Sequence, residues 1–291
     1  MKNKTLLIDG NSLIFRSFYA TARNVDGVWH STMNNSKGEP TNALRVFANV
    51  LYKAINDLKP DNILVAFDSP VKTFRHDFDF YKSKRSSTPD DLKSQFKKVK
   101  TLLDCHSIKW YEIEGLEADD IIGSACSAID GEKYILTGDK DMFQLINDDT
   151  YVYYPDKKTK GYKTINIEEF MNSHDGLKPN QMIDLKSLMG DSSDNVPGVK
   201  GIGPKSAIKL LLEFNTLENL YESIENGEVN LTQSVINKLV NDKDNAFLSK
   251  KIVTIITNEN NFLNLDEIKY KGYNRSKLLE FYNTENLYKL I

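Results

Sequence analysis

Four apolar runs in this chain stop at acidic residues, and no other feature restricts its fold as much. Thr5 to Ile8 (TLLI) ends in Asp9-Gly10, and Ile63 to Phe67 (ILVAF) ends in Asp68. Ile108 to Ile113 leads into Glu117, Asp119 and Asp120, and Lys133 to Thr137 breaks at Gly138 before Asp139 and Asp141. Short apolar runs bounded by Gly and Asp read as buried strands. Between them, Leu44, Phe47, Ala48, Leu51 and Ile55 give 41–58 a helical period, as Ala118, Ile121, Ile122, Ala125, Cys126 and Ile129 do for a second helix. Strands alternating with helices predict an α/β fold with a mostly parallel central sheet and right-handed crossovers. Ligands of such sheets collect beyond the carboxyl ends of the strands. The terminal acids are therefore expected in one site. Helix capping explains acids at a helix entrance through the dipole, but not acids after every strand.

Carboxylates pressed together repel one another and take up protons unless a cation compensates them. Carboxylate and water oxygens are the ligands of hard cations such as Mg²⁺. The four His are scattered and Cys105 and Cys126 lack zinc spacing, so no zinc site competes. Two Mg²⁺ or Mn²⁺ ions about 4 Å apart, clamping a phosphate diester, are the expected cofactors. Asp191 and Asp194, three positions apart in GDSSDN, add two candidate ligands.

The 291 residues are 40% hydrophobic, enough for a packed core without disulfide staples. Two cysteines and no secretory signature point to a reducing, cytoplasmic setting, and the short apolar run after MKNK is neither a signal peptide nor a membrane span. The net charge of −3 argues against a nucleic-acid partner only as an average. With the nine site acids set aside, 38 basic side chains face 32 acidic ones, so the remaining surface is net basic.

Residues 11–22 read as a helix capped by Asn11, 24–40 as a polar loop, and 41–58 as a helix capped by Thr41. From 72 to 100, nine Lys/Arg stand against four acids and alternate with Phe74, Phe78, Phe80 and Tyr81, a composition suited to single-stranded nucleic acid. Lys93 to Lys100 alone fits a solvated helix face. Lys82, Lys84 and Arg85 follow Asp68 closely, before Thr88 and Pro89 open the next helix, and are expected to lean over the acidic pocket. Tyr151 to Tyr154 and Tyr162 to Ile165 read as an edge hairpin with Tyr153, Tyr154 and Tyr162 as packing residues, and 179–189 as a helix with Pro at its first position. Gly198, Gly201 and Gly203 then precede a helix starting near Pro204, with Lys200, Lys205 and Lys209 around them and no acid among them. A glycine turn before a helix offers backbone N–H groups to phosphate without reading bases. Leu217 to Ile224, Ser234 to Val240 and Ala246 to Ile256 make the last third helical, where Lys238, Lys243, Lys250 and Lys251 either extend a duplex-binding face or are simply solvated.

The stretches DGNSLIFRSFYA, KGEPTNAL, VAFD, TFRHDFDFYKSKR, GLEADDIIG, TGDKDMFQL and GDSSDNVPGVKGIGPKSA, in unbroken order from Leu6 to Leu211, resemble the bacterial and phage 5′-nuclease family: flap endonucleases and the 5′–3′ exonuclease domain of bacterial DNA polymerase I. The resemblance implies a PIN-like catalytic domain over 1–177, with a helical arch at about 72–100, and a helical DNA-binding subdomain over 178–291 containing a helix–hairpin–helix element. Asp9, Asp68, Glu117, Asp119, Asp120, Asp139, Asp141, Asp191 and Asp194 match the family's metal-site acids. Asp9, Asp68, Glu117, Asp119 and Asp139 would serve the metal nearer the attacking water and Asp141, Asp191 and Asp194 the second, with Asp120 between the sets. Lys82 and Arg85 match the cations that grip the scissile phosphate, assisted by Arg75. Tyr81, Lys84, Gly198, Lys200, Gly201, Gly203, Lys205 and Lys209 would touch DNA, and the glycine hairpin would hold a K⁺.

The implied activity is structure-specific 5′ cleavage near single-strand/duplex junctions, leaving 5′-phosphates, in primer removal and repair. Its partners would be nicked or 5′-flapped DNA, RNA primer–DNA hybrids and a DNA polymerase, with the nuclease itself a monomer. No polymerase domain follows Ile291, which suits a free-standing nuclease or a truncated polypeptide, and Lys140 stands where relatives often have Arg. A non-cutting binder of branched DNA is disfavoured by the full acid set. A phosphatase with Asp9 as nucleophile would need Asp-x-Asp, and position 11 is Asn11.

Overall fold

Leu6, Leu7 and Ile8 are fully buried, as a strand covered by helices on both faces requires, and this strand stands at the centre of the sheet. The structure, a computed structural model, describes residues 2–159 and 161–287. In chain order, β1 (Lys4–Asp9) and α1 (Gly10–Tyr19) are followed by β2 (Arg23–Val25), β3 (Val28–His30), α2 (Asn42–Leu58), β4 (Asn62–Phe67), α3 (Asp90–Cys105), β5 (Lys109–Glu112), α4 (Ala118–Ala128), β6 (Glu132–Leu136), β7 (Thr150–Asp156), β8 (Gly161–Ile165) and α5 (Ile167–Ser173). The helical part comprises α6 (Met182–Met189), α7 (Pro204–Phe214), α8 (Leu217–Glu225), α9 (Gln233–Asn241), α10 (Lys243–Val253) and α11 (Arg275–Glu285).

The sheet runs β5-β4-β1-β6-β7-β8, parallel except for β8, which turns back on β7. The chain leaves β1 on one side through β4 and β5, then crosses to the other side at β6. Strand order therefore reverses between β1 and β6, which opens a crevice at their carboxyl ends. One face of the sheet packs against α1, α2, α3 and α11. The other packs against α4 and continues without interruption into the core of α6 to α10, so catalytic and helical parts share one interior.

Several expectations need correction. Asp9, not Asn11, caps α1: its carboxylate accepts from Ser12 N at 2.9 Å, and Asn11 is left to bond Asp68. Thr41 occupies the cap position of α2 but its side chain makes no capping bond. The loop 24–40 contains the β2–β3 hairpin, turning at Asp26-Gly27 with φ of +51° and +86°. The expected arch is only partly helical. Phe74–Asp77 makes one 3-10 turn, 78–84 forms further turns, and α3 starts at Asp90 with Pro89 as its cap rather than its first residue. Leu92, Val99, Leu102 and Leu103 bury the inner face of α3 against the sheet, confining the cover of the crevice to about 73–89. Pro179–Gln181 is a 3-10 turn ahead of α6, and α10 begins and ends three residues earlier than expected. The tail does not stay in the helical part: Ile63 N donates to Ile268 O, Asn274 N to Cys105 O, and α11 returns to α2 and α3, where Glu285 meets Lys98 at 2.6 Å. Among the described residues, no helix is long and apolar enough to cross a membrane.

Candidate active site and nucleic-acid interface

The crevice is a cleft of about 380 Å³ lined by Asp9, Asp68, Glu117, Asp119, Asp139 and Asp141, with Lys82 and Arg85 above them. Asp9 leaves β1 and Asp68 leaves β4, while Glu117 and Asp119 sit at the entrance to α4 and Asp139 and Asp141 follow β6. The parallel register sets Ile8 beside both Val65 and Leu136, which brings these strand ends to one level. Asp191 and Asp194 belong to an adjoining smaller cavity, which they share with Asp119, Asp141, Tyr81 and Arg75. Eight of the nine expected acids thus line two neighbouring spaces that share Asp119 and Asp141.

Each carboxylate is held by specific partners. Thr137 Oγ1 donates to Asp9 at 2.8 Å, and Ser12 Oγ, which accepts from Gly138 N at 3.0 Å, joins α1 to the end of β6. Asp68 accepts from Asn11 Nδ2 at 2.7 Å and from Ala118 N at 2.8 Å. Glu117 accepts from Tyr81 at 2.9 Å and from Lys82 at 2.8 Å. Asp119 accepts from Asp120 N, and Asp139 from Asp141 N. Arg85 reaches Asp194 at 2.6 Å, and Lys82 N donates to Asp194 O at 2.9 Å. Lys82 adopts a left-handed φ of +53°, a backbone state that a non-glycine residue holds at some cost and that tends to mark functional sites.

Burial leaves much of this charge uncompensated. It pushes Asp9 up to about 7, with Asp139 and Asp68 adding to the effect. Asp141 also rises to about 7, through burial and then Asp139. Burial raises Asp68, and raises Asp119 well above the carboxylate range with help from Asp120. Glu117 goes the other way, because Lys82 and Tyr81 outweigh its burial. Asp191 falls to about 2 because Lys186 and Ser193 outweigh its burial.

One expected metal ligand and one expected phosphate grip are not in the roles assigned to them. Asp120 is fully buried and turned away from the cleft, where Arg75 Nη1 and Nη2 grip it at 2.6 and 2.8 Å. It also accepts from Glu117 N and Ile256 N, so no lone pair is free for a metal between the two sets. Arg75 is 1% exposed and donates further to Ile252 O and Thr254 O, which rules it out as a phosphate grip. The nearest cation sequence reasoning passed over is Lys186. Its buried ammonium bridges Asp141 and Asp191, and the only signal was a lysine within a helix that is buried along most of its length, Met182-Ile183-Asp184-Leu185-Lys186-Ser187-Leu188-Met189. Asn11, Ser12 and Thr137 were likewise missed.

The donor chemistry fits divalent hard cations. Apart from the Met142 thioether, every group lining the cleft that can serve as a ligand is an oxygen donor, and the raised carboxylates mark negative charge that nearby lysines do not fully balance. Among the described residues, no three acids, His or Cys converge tightly enough to form a ready coordination shell. Mg²⁺ tolerates this, since it retains several waters and takes only one or two carboxylates directly.

The glycine hairpin lies beyond the smaller cavity. Gly190 and Gly198, with φ of +73° and +61°, pack back to back, and a Cβ on Gly198 would stand 2.2 Å from Gly190 N. Not all hairpin amides face outward as expected: Gly198 N donates to Ser249 Oγ at 3.0 Å and Lys200 N to Asp242 at 2.8 Å. Lys200, Gly201, Gly203, Lys205 and Lys209 are exposed. Of the more distal lysines, Lys243 and Lys250 pair with Glu225, Asp184 and Glu218, Lys251 lies over Phe74 and Phe78, and Lys238 Nζ faces Gly201 O at 3.3 Å. Lys84 is exposed beside Phe80 and Asn195, while Tyr81 is buried against Glu117 and cannot stack on a base.

An α/β crevice ringed by carboxylates, beside a helical hairpin unit, defines a nuclease class, and the sequence comparisons agree. Residues 4–174 match the 5′-3′ exonuclease N-terminal resolvase-like domain and residues 177–276 the 5′-3′ exonuclease C-terminal SAM fold. The chain belongs to the 5′-3′ exonuclease family. It is 40% identical over 285 residues to DNA polymerase I of Bacillus subtilis (strain 168), and 39% identical over 286 residues to DNA polymerase I of Streptococcus pneumoniae (strain ATCC BAA-255 / R6). These matches cover 97% of this chain but only 31% and 32% of the relatives, so the chain spans about a third of their length. Among solved structures, it resembles the bacteriophage T5 5′-exonuclease bound to zinc (TM-score 0.67, 20% identity, 99% of both chains covered). It also resembles the catalytic core of Rad2 with a DNA substrate (TM-score 0.62, 21% identity, 98% and 88% covered). At these identities the likeness establishes the fold.

Proposed function

We propose that the cleft hydrolyses phosphodiester bonds in DNA near single-strand/duplex junctions, as a flap endonuclease and 5′–3′ exonuclease that leaves 5′-phosphates. The observation that carries this is the row of buried, under-compensated carboxylates at the strand-order reversal, roofed by Lys82 and Arg85. The zinc-bound T5 exonuclease and DNA-bound Rad2 core support metal dependence and DNA as substrate.

Asp9, Asp68, Glu117, Asp119 and Asp139 would hold one divalent cation, Mg²⁺ or Mn²⁺, and Asp141, Asp191 and Asp194 a second. When bound, the cations supply an attacking water of lowered pKa and neutralise charge on the departing oxygen. Lys82, paired with Glu117, and Arg85, paired with Asp194, would exchange these partners for the scissile phosphate. Arg85 is the more exposed of the two, while Lys82 is half-buried and its backbone N–H bonds Asp194 O. Lys200, Gly201, Gly203, Lys205, Lys209 and Lys84 would follow duplex phosphates, giving sequence-independent binding. A K⁺ fits the Gly198–Gly203 hairpin less well, because the Gly201 carbonyl faces Lys238 and the Val199 carbonyl accepts from Ile202. Removal of RNA primers, action as a monomer and cooperation with a DNA polymerase belong to the same proposal.

Product mapping on a labelled 5′-flap duplex with Mg²⁺, Mn²⁺ or chelator tests it. The expected result is 5′-phosphate products ending at the junction with either metal and none in chelator. Cutting in chelator, or tight flap binding without cutting in either metal, would overturn the reading.

A further inference from the structure

Arg75 and Asp120 are withdrawn from the cleft into a joint between the catalytic sheet and the helices that carry the glycine hairpin. Arg75 is supplied by the 3-10 turn that opens the cleft cover and Asp120 by the first turn of α4. The other side of the joint is the end of α10 and the irregular stretch after it. Ile252 O accepts from Arg75 Nε at 2.8 Å, Thr254 O from Nη2 at 2.9 Å, and Ile256 N donates to Asp120 at 2.9 Å. Gln144 adds two bonds to the same stretch, donating to Val253 O at 3.1 Å and accepting from Ile255 N at 3.0 Å. Gly123 lets Ile255 and Ile256 approach α4 directly. The same helix holds the hairpin, through Ser249 Oγ and Gly198 N. A short, continuous set of bonds therefore runs from the hairpin through α10 to Arg75, Asp120 and the entrance of α4, where Glu117 and Asp119 face the cleft.

We propose that this joint sets the incision register, with Arg75 as a positioning residue that fixes how far along the duplex the hairpin-held phosphates lie from the cleft. The inference rests on the reading of the cleft as the place of cutting. Stability alone does not call for such a pair, since a buried ion pair can often be replaced by apolar residues without loss, and the best-attested use of such groups is to fix how two protein elements align. The scale matches. Successive nucleotides of one strand rise about 3.4 Å, so a slip of that size at the joint presents the neighbouring bond. A guanidinium bonded to one carboxylate and two carbonyls of the opposing segment resists such a slip, whereas a lysine ammonium at position 75 has no planar fork to reach all of them.

Arg75→Lys and Gln144→Ala are compared with the wild type on a flap substrate under single-turnover conditions, with product lengths read at nucleotide resolution. Mg²⁺ is titrated in parallel, flap binding is measured in Ca²⁺, and melting reports folding. In Arg75→Lys the dominant product should spread to bonds one nucleotide away while total cleavage slows by roughly 10²-fold, with the Mg²⁺ midpoint and binding unchanged. Gln144→Ala should give a smaller spread, and decides the matter if Arg75→Lys does not fold. An unchanged product position in the folded variants, or a displaced Mg²⁺ midpoint in place of a displaced product, overturns the proposal. If the cleft reading itself is wrong, Asp139→Asn will cut normally, an outcome separate from the product spread.

Discussion

Replacing Lys186 by Met removes the ammonium that bridges Asp141 and Asp191 while keeping an unbranched side chain one atom shorter. Both carboxylates are mostly buried, and Asp141 is already raised to about 7 by its burial and by Asp139. Breaking a buried pair by removing one partner costs about 3–5 kcal/mol, and protonation of Asp141 keeps the loss here toward the lower end, about 3 kcal/mol. For a chain of this size each kcal/mol moves the melting temperature by about 2–4 °C, so the variant should melt roughly 6–12 °C below wild type in EDTA. A divalent cation held by the same carboxylates takes over the role of the ammonium. In the wild type the ammonium already balances these carboxylates and competes with the cation, so at a hundred times its dissociation constant for the variant, Mg²⁺ returns about 2.7 kcal/mol to the variant and less to the wild type. Differential scanning fluorimetry at pH 7.5, with EDTA against saturating Mg²⁺, should therefore show a deficit that largely closes when Mg²⁺ is added. An equal deficit in both conditions would refute the reasoning, because the two carboxylates would then not face a cation site.

Gly123→Ala would place its Cβ 2.6 Å from Ile255 Cγ2 and 2.8 Å from Ile256 O; urea titration should show a loss of about 1–3 kcal/mol, and an unchanged midpoint would mean that the contact yields freely. His106 is fully buried and held near 4 by desolvation, so it is neutral when folded, whereas the unfolded chain takes up its proton from pH 6.5 downward. Stability is lost as pH falls through that window, by about 2 kcal/mol between pH 7 and 5 at 1.36 kcal/mol per unit. His106→Asn should lack that portion of the acid sensitivity, and parallel losses in variant and wild type would contradict the assignment. Gly198→Ala cannot keep the back-to-back contact with Gly190, and should weaken flap binding in Ca²⁺ by roughly tenfold, which anisotropy measures.

What could be read from the residues was whatever the backbone period dictates. Thr5 to Ile8, Ile63 to Phe67 and Lys133 to Thr137 form strands because their apolar runs suit a doubly covered sheet, and parallel order carries Asp9, Asp68 and Asp139 to one edge. Asp120 could not be separated from Glu117 and Asp119 in this way. Three acids in one helical turn look alike in sequence, and only the position of Arg75, 45 residues upstream, turns Asp120 inward. Lys186 was hidden for a related reason, because its two partners come from different elements. The β2–β3 hairpin did carry a signal: Asp26-Gly27 between Val25 and Val28 suits a tight turn with positive φ at both positions. The return of α11 carried none, since its contacts lie with α2 and α3, more than 150 residues earlier.

Asp139→Asn tests the account at its centre, because it removes charge from the cleft at an exposed position whose carboxylate bonds only the amide of Asp141 in the hydrogen-bond pattern described here. Cleavage of a 5′ flap in Mg²⁺ and binding of the same flap in Ca²⁺ are measured side by side. The account predicts a fall in cleavage of roughly 10²-fold or more with binding held within about twofold of wild type. Turnover near the wild-type rate would contradict it.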